Sequence, residues 1–300
     1  MLRAALAALV LAAPVSHHDL SYDLGSPPAV PAWNRLDVYS PAGARRGSRP
    51  VVVWVHGGGW QEGDKREDIA RKARLFTRAG LVLASVNYRL SGVAPPTGPF
   101  DPGRVRFPDH PRDVAEAVGW LRRHVARYGG DPGRIVLVGH SSGAHLAALV
   151  GTDPRYLRAR GVPRRTLRGV VTLDAAALDV TRLADPRTNE GARGIWSVFG
   201  TPEEDAATGA WAAASPLRHA DRGDPPFLQV VSNGSPRANA REARRMARRV
   251  GGPLLRVPFD HVEIGRNLGA PRAVLRFVSR VTRRAPGRSP GPGGSSAARR

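Results

Sequence analysis

The chain has 300 residues, 41% of them hydrophobic and 24% charged, with no cysteine and a formal net charge of +21. That is enough apolar sequence for one large domain with a substantial core, and the missing cysteine excludes disulfides and thiolate metal sites. The charge is almost all arginine, with Lys65 and Lys72 the only lysines, and it is dispersed among abundant Ala, Gly, Pro and Val without an aromatic-interleaved basic stripe; dispersed charge supports only weak, salt-sensitive association, so no specific nucleic-acid partner is expected.

Residues 1–16 carry one early positive charge, Arg3, followed by an apolar run from Ala4 to Ala13. This is the layout of a secretory signal and is too short for a comfortable membrane span. Residues 1–16 are therefore expected to be a signal peptide and the protein to be secreted or extracytoplasmic, although Pro14 and Val15 stand where a cleavage site wants small residues. Arg35–Tyr39 alternates as an edge strand does, and Val51–Val55 is a continuous β-branched and aromatic run, the mark of a strand buried on both faces. That strand ends in His56-Gly57-Gly58-Gly59-Trp60.

Asp64–Arg78 reads as a helix stopped by Gly80, Leu81–Asn87 as the next buried strand, and Asp109–Tyr128 as an amphipathic helix with Val114, Ala117, Val118, Leu121 and Val125 at helical spacing. Further strands are expected at Ile135–Val138, Gly169–Leu173, Phe227–Val231 and Leu254–Val257. Further helices are expected at Asn239–Val250 and Pro271–Val281, with a long irregular segment up to Pro225. Residues 283–300, rich in Pro, Gly, Ser and Arg, are expected to be a disordered basic tail, leaving residues 17–282 as one catalytic domain. Strands alternating with helices imply an α/β fold, a doubly wound, mainly parallel sheet whose ligands bind beyond the C-terminal strand ends. His56, Ser141, Asp174 and His261 all fall just after expected strand ends.

The chemistry centres on Gly139-His140-Ser141-Ser142-Gly143, between an apolar strand and a small-residue run. A serine hydroxyl is a poor nucleophile unless it is held exposed beside a base, with donors waiting for the developing oxyanion. Glycines two residues before and after Ser141 let neighbouring backbone approach and let the serine sit on a sharp strand-to-helix turn. The glycine run at Gly57–Gly59 offers bare backbone near a substrate carbonyl, so Gly57, Gly58 and Ser142 are the natural oxyanion donors.

Together with Asn87-Tyr88-Arg89-Leu90, Phe107-Pro108, Tyr128-Gly129-Gly130-Asp131-Pro132 and the run Ala144-His145-Leu146-Ala147, these motifs resemble the α/β-hydrolase superfamily, in its esterase and lipase branch with an HGGG loop, which also holds kynurenine-formamidase-like enzymes. The resemblance spans about Leu20 to Arg280 and implies Ser, acid and His in that chain order. His261 stands after the last strand, where the family carries its catalytic histidine. The family's acid usually follows the penultimate strand, just before a proline, and Ser235 occupies that place. Asp174, ending the strand after the elbow, is the best substitute and Asp179 the second. Asp260 and Glu263 lie too close to His261 in sequence to orient it easily, and a dyad without an acid is the remaining alternative.

Residues 181–217, with Trp196, Phe199 and Trp211, resemble a small cap, whose aromatic rings either line an apolar pocket or pack the cap onto the sheet. The expected activity is hydrolysis of a small-molecule carboxylic ester, with an N-formyl amide hydrolase or a non-catalytic binding protein as alternatives. No metal or organic cofactor is implied.

Overall fold

The computed structural model describes residues 13–22, 33–95 and 97–283. Eight strands, β1 (Val15–Ser21), β2 (Arg35–Ser40), β3 (Arg49–Val55), β4 (Val82–Val86), β5 (Gly130–His140), β6 (Leu167–Leu173), β7 (Phe227–Ser232) and β8 (Leu254–Val257), form one sheet in the order β1-β2-β4-β3-β5-β6-β7-β8. The β1–β2 and β2–β4 pairs are antiparallel and every other pair is parallel. The helices are α1 (Ile69–Arg78), α2 (Asp109–His124), α3 (Ser142–Thr152), α4 (Pro154–Ala159), α5 (Val180–Ala184), α6 (Arg193–Phe199), α7 (Pro202–Thr208), α8 (Ala210–Ala213), α9 (Pro216–His219), α10 (Arg237–Val250), α11 (His261–Asn267) and α12 (Pro271–Val281). No helix among the described residues is long and apolar enough to cross a membrane.

Successive residues of a strand face opposite sides, and the central runs feed two cores. Val51, Val53, Val55, Ile135 and Leu137 join Val114 and Val118 of α2, Ala144 and Ala147 of α3, and Met246 of α10. Val52, Trp54, Val136 and Val138 face the other way, onto Ile69 and Phe76 of α1 and Val274 and Phe277 of α12. Both faces being covered explains why these strands read as unbroken apolar runs.

Two sequence expectations, the place of Arg35–Tyr39 and the start of the first helix, are corrected. Arg35–Tyr39 is not at the sheet edge: β1 pairs with it outside, a strand of mostly exposed residues that leaves no burial pattern to read. Val15 and Ser16, the last two residues assigned to the signal, pair with Ser40 and Tyr39 in this strand, while residues 1–12 lie outside the described residues. The first helix starts at Ile69 and not at Asp64, because Asp64 Oδ1 accepts the Arg66 N–H and Asn87 Oδ1 accepts the Lys65 N–H, holding this stretch in turns. Most of the tail expected at 283–300 likewise lies outside the described residues.

A buried ion cluster fastens β1 and the turn before α1 to the sheet. Asp37 of β2 is fully buried and accepts from Lys65 Nζ at 3.0 Å, His18 Nδ1 at 3.1 Å, Arg66 Nε at 3.2 Å and the Asp19 N–H at 2.8 Å. Lys65, itself 2% exposed, also reaches Asp19 at 2.9 Å. Removing one member of a buried pair leaves the other uncompensated. Lys65→Met, which keeps the stem's bulk, is expected to destabilise the fold by about 3 kcal/mol in urea unfolding; an unchanged midpoint would show that Asp37 does not depend on Lys65.

Candidate active site

The strand-to-helix turn is built as its sequence requires. Ser141 sits at φ 52°, ψ −119°, a conformation that costs a non-glycine residue roughly 1–3 kcal/mol. A Cβ on Gly139 would lie 2.2 Å from the Gly143 carbonyl oxygen, and one on Gly143 would lie 2.2 Å from the His56 carbonyl oxygen, so only glycine fits at either place. The turn is pinned by its backbone: the Ser141 N–H donates to Leu173 O at 3.0 Å, and the Ser141 carbonyl accepts from the His145 N–H at 3.1 Å and the Ala176 N–H at 3.3 Å.

The three residues expected to share the chemistry meet. His261 Nε2 lies 3.0 Å from Ser141 Oγ, and His261 Nδ1 lies 2.7 Å from Asp174 Oδ2. Asp174 is the acid partner and Asp179 is not: Asp179 accepts from Thr181 Oγ1 and pairs with Arg245 at 3.3 Å. Asp260 and Glu263 are used elsewhere too. Asp260 accepts the N–H groups of Val262 and Glu263, while Glu263 accepts the Asp260 N–H, a reciprocal cap that starts α11 and presents His261 on its first turn.

Sequence reasoning missed what holds Asp174. Ser232, at the end of β7, donates from Oγ to Asp174 Oδ2 at 2.9 Å and from its N–H to Oδ1 at 3.3 Å, and the Asp174 N–H donates to Val230 O at 2.8 Å. Burial alone would raise the Asp174 carboxyl. The bonds from His261 and Ser232 outweigh burial and hold it below the usual carboxylate range. Ser235, in the family's usual acid position, buries its hydroxyl beyond normal hydrogen-bond geometry, yet it too lowers the same carboxylate.

The glycine loop abuts the nucleophile, since a Cβ on Gly57 would lie 3.2 Å from Ser141 Cβ. Its shape is set from below by Tyr88, fully buried, whose hydroxyl lies 3.2 Å from His56 O and 3.3 Å from Gly57 O. The Gly58 carbonyl accepts the N–H groups of Gln61 and Glu62, closing the turn. Trp60 Nε1 donates to His145 Nδ1 at 3.2 Å while His145 Nε2 lies 2.8 Å from Ala214 O, which joins the glycine loop, α3 and the segment before α9. Phe199 stands edge-on to Trp60 at 4.9 Å, Trp196 Nε1 donates to Ala184 O and Trp211 Nε1 to Gly200 O. With Phe199 and Trp211 buried, these two rings pack the cap segment instead of lining a pocket.

Sequence, sheet and site together define an α/β-hydrolase. The BD-FAE family model matches residues 36–248, and the chain belongs to that family. It is 27% identical over 230 residues to a protein named "Probable carboxylic ester hydrolase LipM" of Mycobacterium tuberculosis, covering 75% of this chain and 49% of that protein. It is 36% identical over 117 residues to the esterase LipQ of the same organism, covering 39% of this chain and 25% of that protein. The chain thus spans about half the length, or less, of these curated relatives. Among solved structures, a truncated carbohydrate esterase from gut microbiota superposes with a TM-score of 0.68 at 18% identity, covering 90% of this chain and 97% of the other. Esterase B of Lactobacillus rhamnosis superposes with a TM-score of 0.68 at 19% identity, covering 90% and 86%.

Four histidines cannot compete with His261 as the base. Burial lowers His56, His140 and His145 to about 4 and His110 to about 3, so each is neutral near pH 7. Unfolding returns them to an ordinary value near ~6.5, so between about pH 6.5 and 4 the unfolded chain binds more protons and stability falls as pH falls. The carboxylate of Asp174, held low, is lost only at more acid pH, as the medium falls through its folded value. The unfolding free energy is therefore expected to drop steadily from pH 6.5 toward 4.5, with His110→Gln reducing the slope by up to about 1.4 kcal/mol per pH unit. A flat profile over that range, by urea unfolding, would mean these rings are protonated when folded.

Proposed function

We propose that the protein is a serine hydrolase that cleaves small carboxylic esters through an acyl-enzyme intermediate. The carrying observation is the bridge by His261 from Ser141 Oγ to Asp174 Oδ2. Ser141 attacks the ester carbonyl while His261 Nε2 takes its proton; the same proton then goes to the departing alkoxide. A water, deprotonated by His261, releases the acid. Asp174 keeps the Nδ1–H tautomer and stabilises the imidazolium. The N–H groups of Gly57, Gly58 and Ser142 receive the oxyanion; the packing of Gly57 against Ser141 supports that assignment.

Relatives named as ester hydrolases and esterases favour an ester over an N-formyl amide, and the Asp174 geometry favours a working enzyme over an inert binding protein. Wild type is expected to hydrolyse p-nitrophenyl acetate and butyrate and to be labelled by a fluorophosphonate. Ser141→Ala should lose both, and Asp174→Asn should lower kcat by roughly 10³–10⁴-fold. Equal rates for wild type and Ser141→Ala would remove Ser141 from the mechanism, and faster turnover of N-formyl amides would change the reaction class.

Export belongs to the same proposal, supported by the charge and apolar run of residues 1–16. A periplasmic phosphatase reporter fused after residue 34 is expected to be active in a bacterial host; an inactive, intact fusion would count against export.

A further inference from the structure

His140, the residue before the nucleophile, has no assigned part in the chemistry, yet its ring lies against both the glycine loop and the helix that carries His261. Its Nε2 lies 2.7 Å from the main-chain carbonyl oxygen of His261. A carbonyl only accepts, so Nε2 carries the proton and Nδ1 is left as a lone pair. The two rings are tilted by 41° with centroids 4.8 Å apart.

The faces of the ring are fitted on two sides. A Cβ on Gly265 of α11 would come within 2.7 Å of Nδ1 and 2.8 Å of Cε1 and Cγ, and a Cβ on Gly57 would come within 3.0 Å of Nδ1. No side chain larger than hydrogen fits at Gly265 while this ring is in place. The imidazole is thus held between the glycine loop and the helix that carries His261, and its one N–H fixes the backbone of His261 itself. Burial and the neighbouring His261 ring both lower its pKa, which keeps the ring an uncharged donor at working pH.

We propose that His140 is a positioning residue for ester hydrolysis: its Nε2–H tethers the His261 main chain, so that His261 Nε2 stays within reach of Ser141 Oγ. This rests on the serine-hydrolase reading above. It goes beyond that reading by assigning the residue between Gly139 and Ser141 a task at the opposite end of the chain. Reacting groups displaced by about 1 Å lose up to ~100-fold in rate, and one lost hydrogen bond is worth on the order of tenfold.

His140→Phe keeps the ring and removes the donor, whereas His140→Gln removes the ring and keeps an N–H near the Nε2 position. Using a p-nitrophenyl ester, His140→Phe is expected to lower kcat by roughly 10- to 100-fold with KM within about twofold, and His140→Gln to recover most of the loss. Gly265→Ala presses a methyl onto the ring from α11 without touching the elbow, so it tests the same contact should His140→Phe not fold; kcat should fall again with KM little changed. A readout independent of turnover is the downfield Nδ1 proton of His261, expected to be sharp in wild type and broadened by solvent exchange in His140→Phe or Gly265→Ala.

Wild-type kinetics and an unbroadened Nδ1 proton in both variants would overturn the proposal, as would a loss expressed only in KM or not recovered by His140→Gln. If wild type itself neither turns over esters nor reacts with fluorophosphonate, the serine-hydrolase reading has failed. The Nδ1 proton then decides the tether alone: broadening in the variants supports it and an unchanged signal overturns it.

Discussion

Helix α3 can deliver Ser141 only because it runs closer to the ends of β3 and β5 than any side chain would allow. Gly139 meets the Gly143 carbonyl and Gly143 meets the carbonyl of His56, so the helix start, the nucleophile strand and the glycine loop share one contact. From there each strand end hooks to the next: the Ser141 N–H to Leu173 of β6, the Asp174 N–H to Val230 of β7, and the Asn233 N–H to Val257 of β8. These bonds offset the cost of two residues at positive φ, Ser141 at 52° and Asp174 at 48°. Trp60 and Ala177, in the glycine loop and just after Asp174, also take positive φ, as do Asp19, Asp68 and Leu268.

The central strands, the elbow and the long helices α2, α10 and α12 were legible in the sequence because each is specified locally, by an apolar run, a glycine spacing or a 3.6-residue period. Ser141 was legible for the same reason, and His261 only through the resemblance, which places a histidine after the last strand. β1 was not, since Val15-Ser16-His17-His18-Asp19-Leu20-Ser21 faces mostly solvent and owes its place to Asp37 and Lys65. The short helices α5–α9 were hidden as well, although Thr201 and Glu204 form a reciprocal cap that a T-x-x-E pattern announces. Ser232 and His140 could not be assigned from sequence at all. Their tasks are defined by residues 58 and 121 positions away, a separation that local pattern does not span.

The choice of acid follows from the parallel sheet. β6 and β7 are neighbours in register, with Leu173 beside Val230, so their C-terminal ends open onto the same space. A carboxylate on the first and a hydroxyl on the second fill that space as well as the reverse would. Here Asp174 supplies the charge, His261 does most to keep it ionised, and Ser232 adds a hydrogen bond from the neighbouring strand. Around it burial keeps His56, His140 and His145 uncharged, while His261 stands half-exposed beside the serine.

The ion cluster under β1 has a chemical consequence for the outside of the molecule. The chain's only two lysines are each 2% exposed, Lys65 between Asp19 and Asp37 and Lys72 over the face of Trp54. Lys72 is lowered to about 8 by burial, and it is as enclosed as Lys65. Every exposed lysine-or-arginine cation of the described surface is therefore a guanidinium. Guanidinium holds its proton to beyond pH 12 and keeps no free lone pair. An activated ester in solution therefore meets no exposed lysine amine on the described surface, which is a poor sink for acylation.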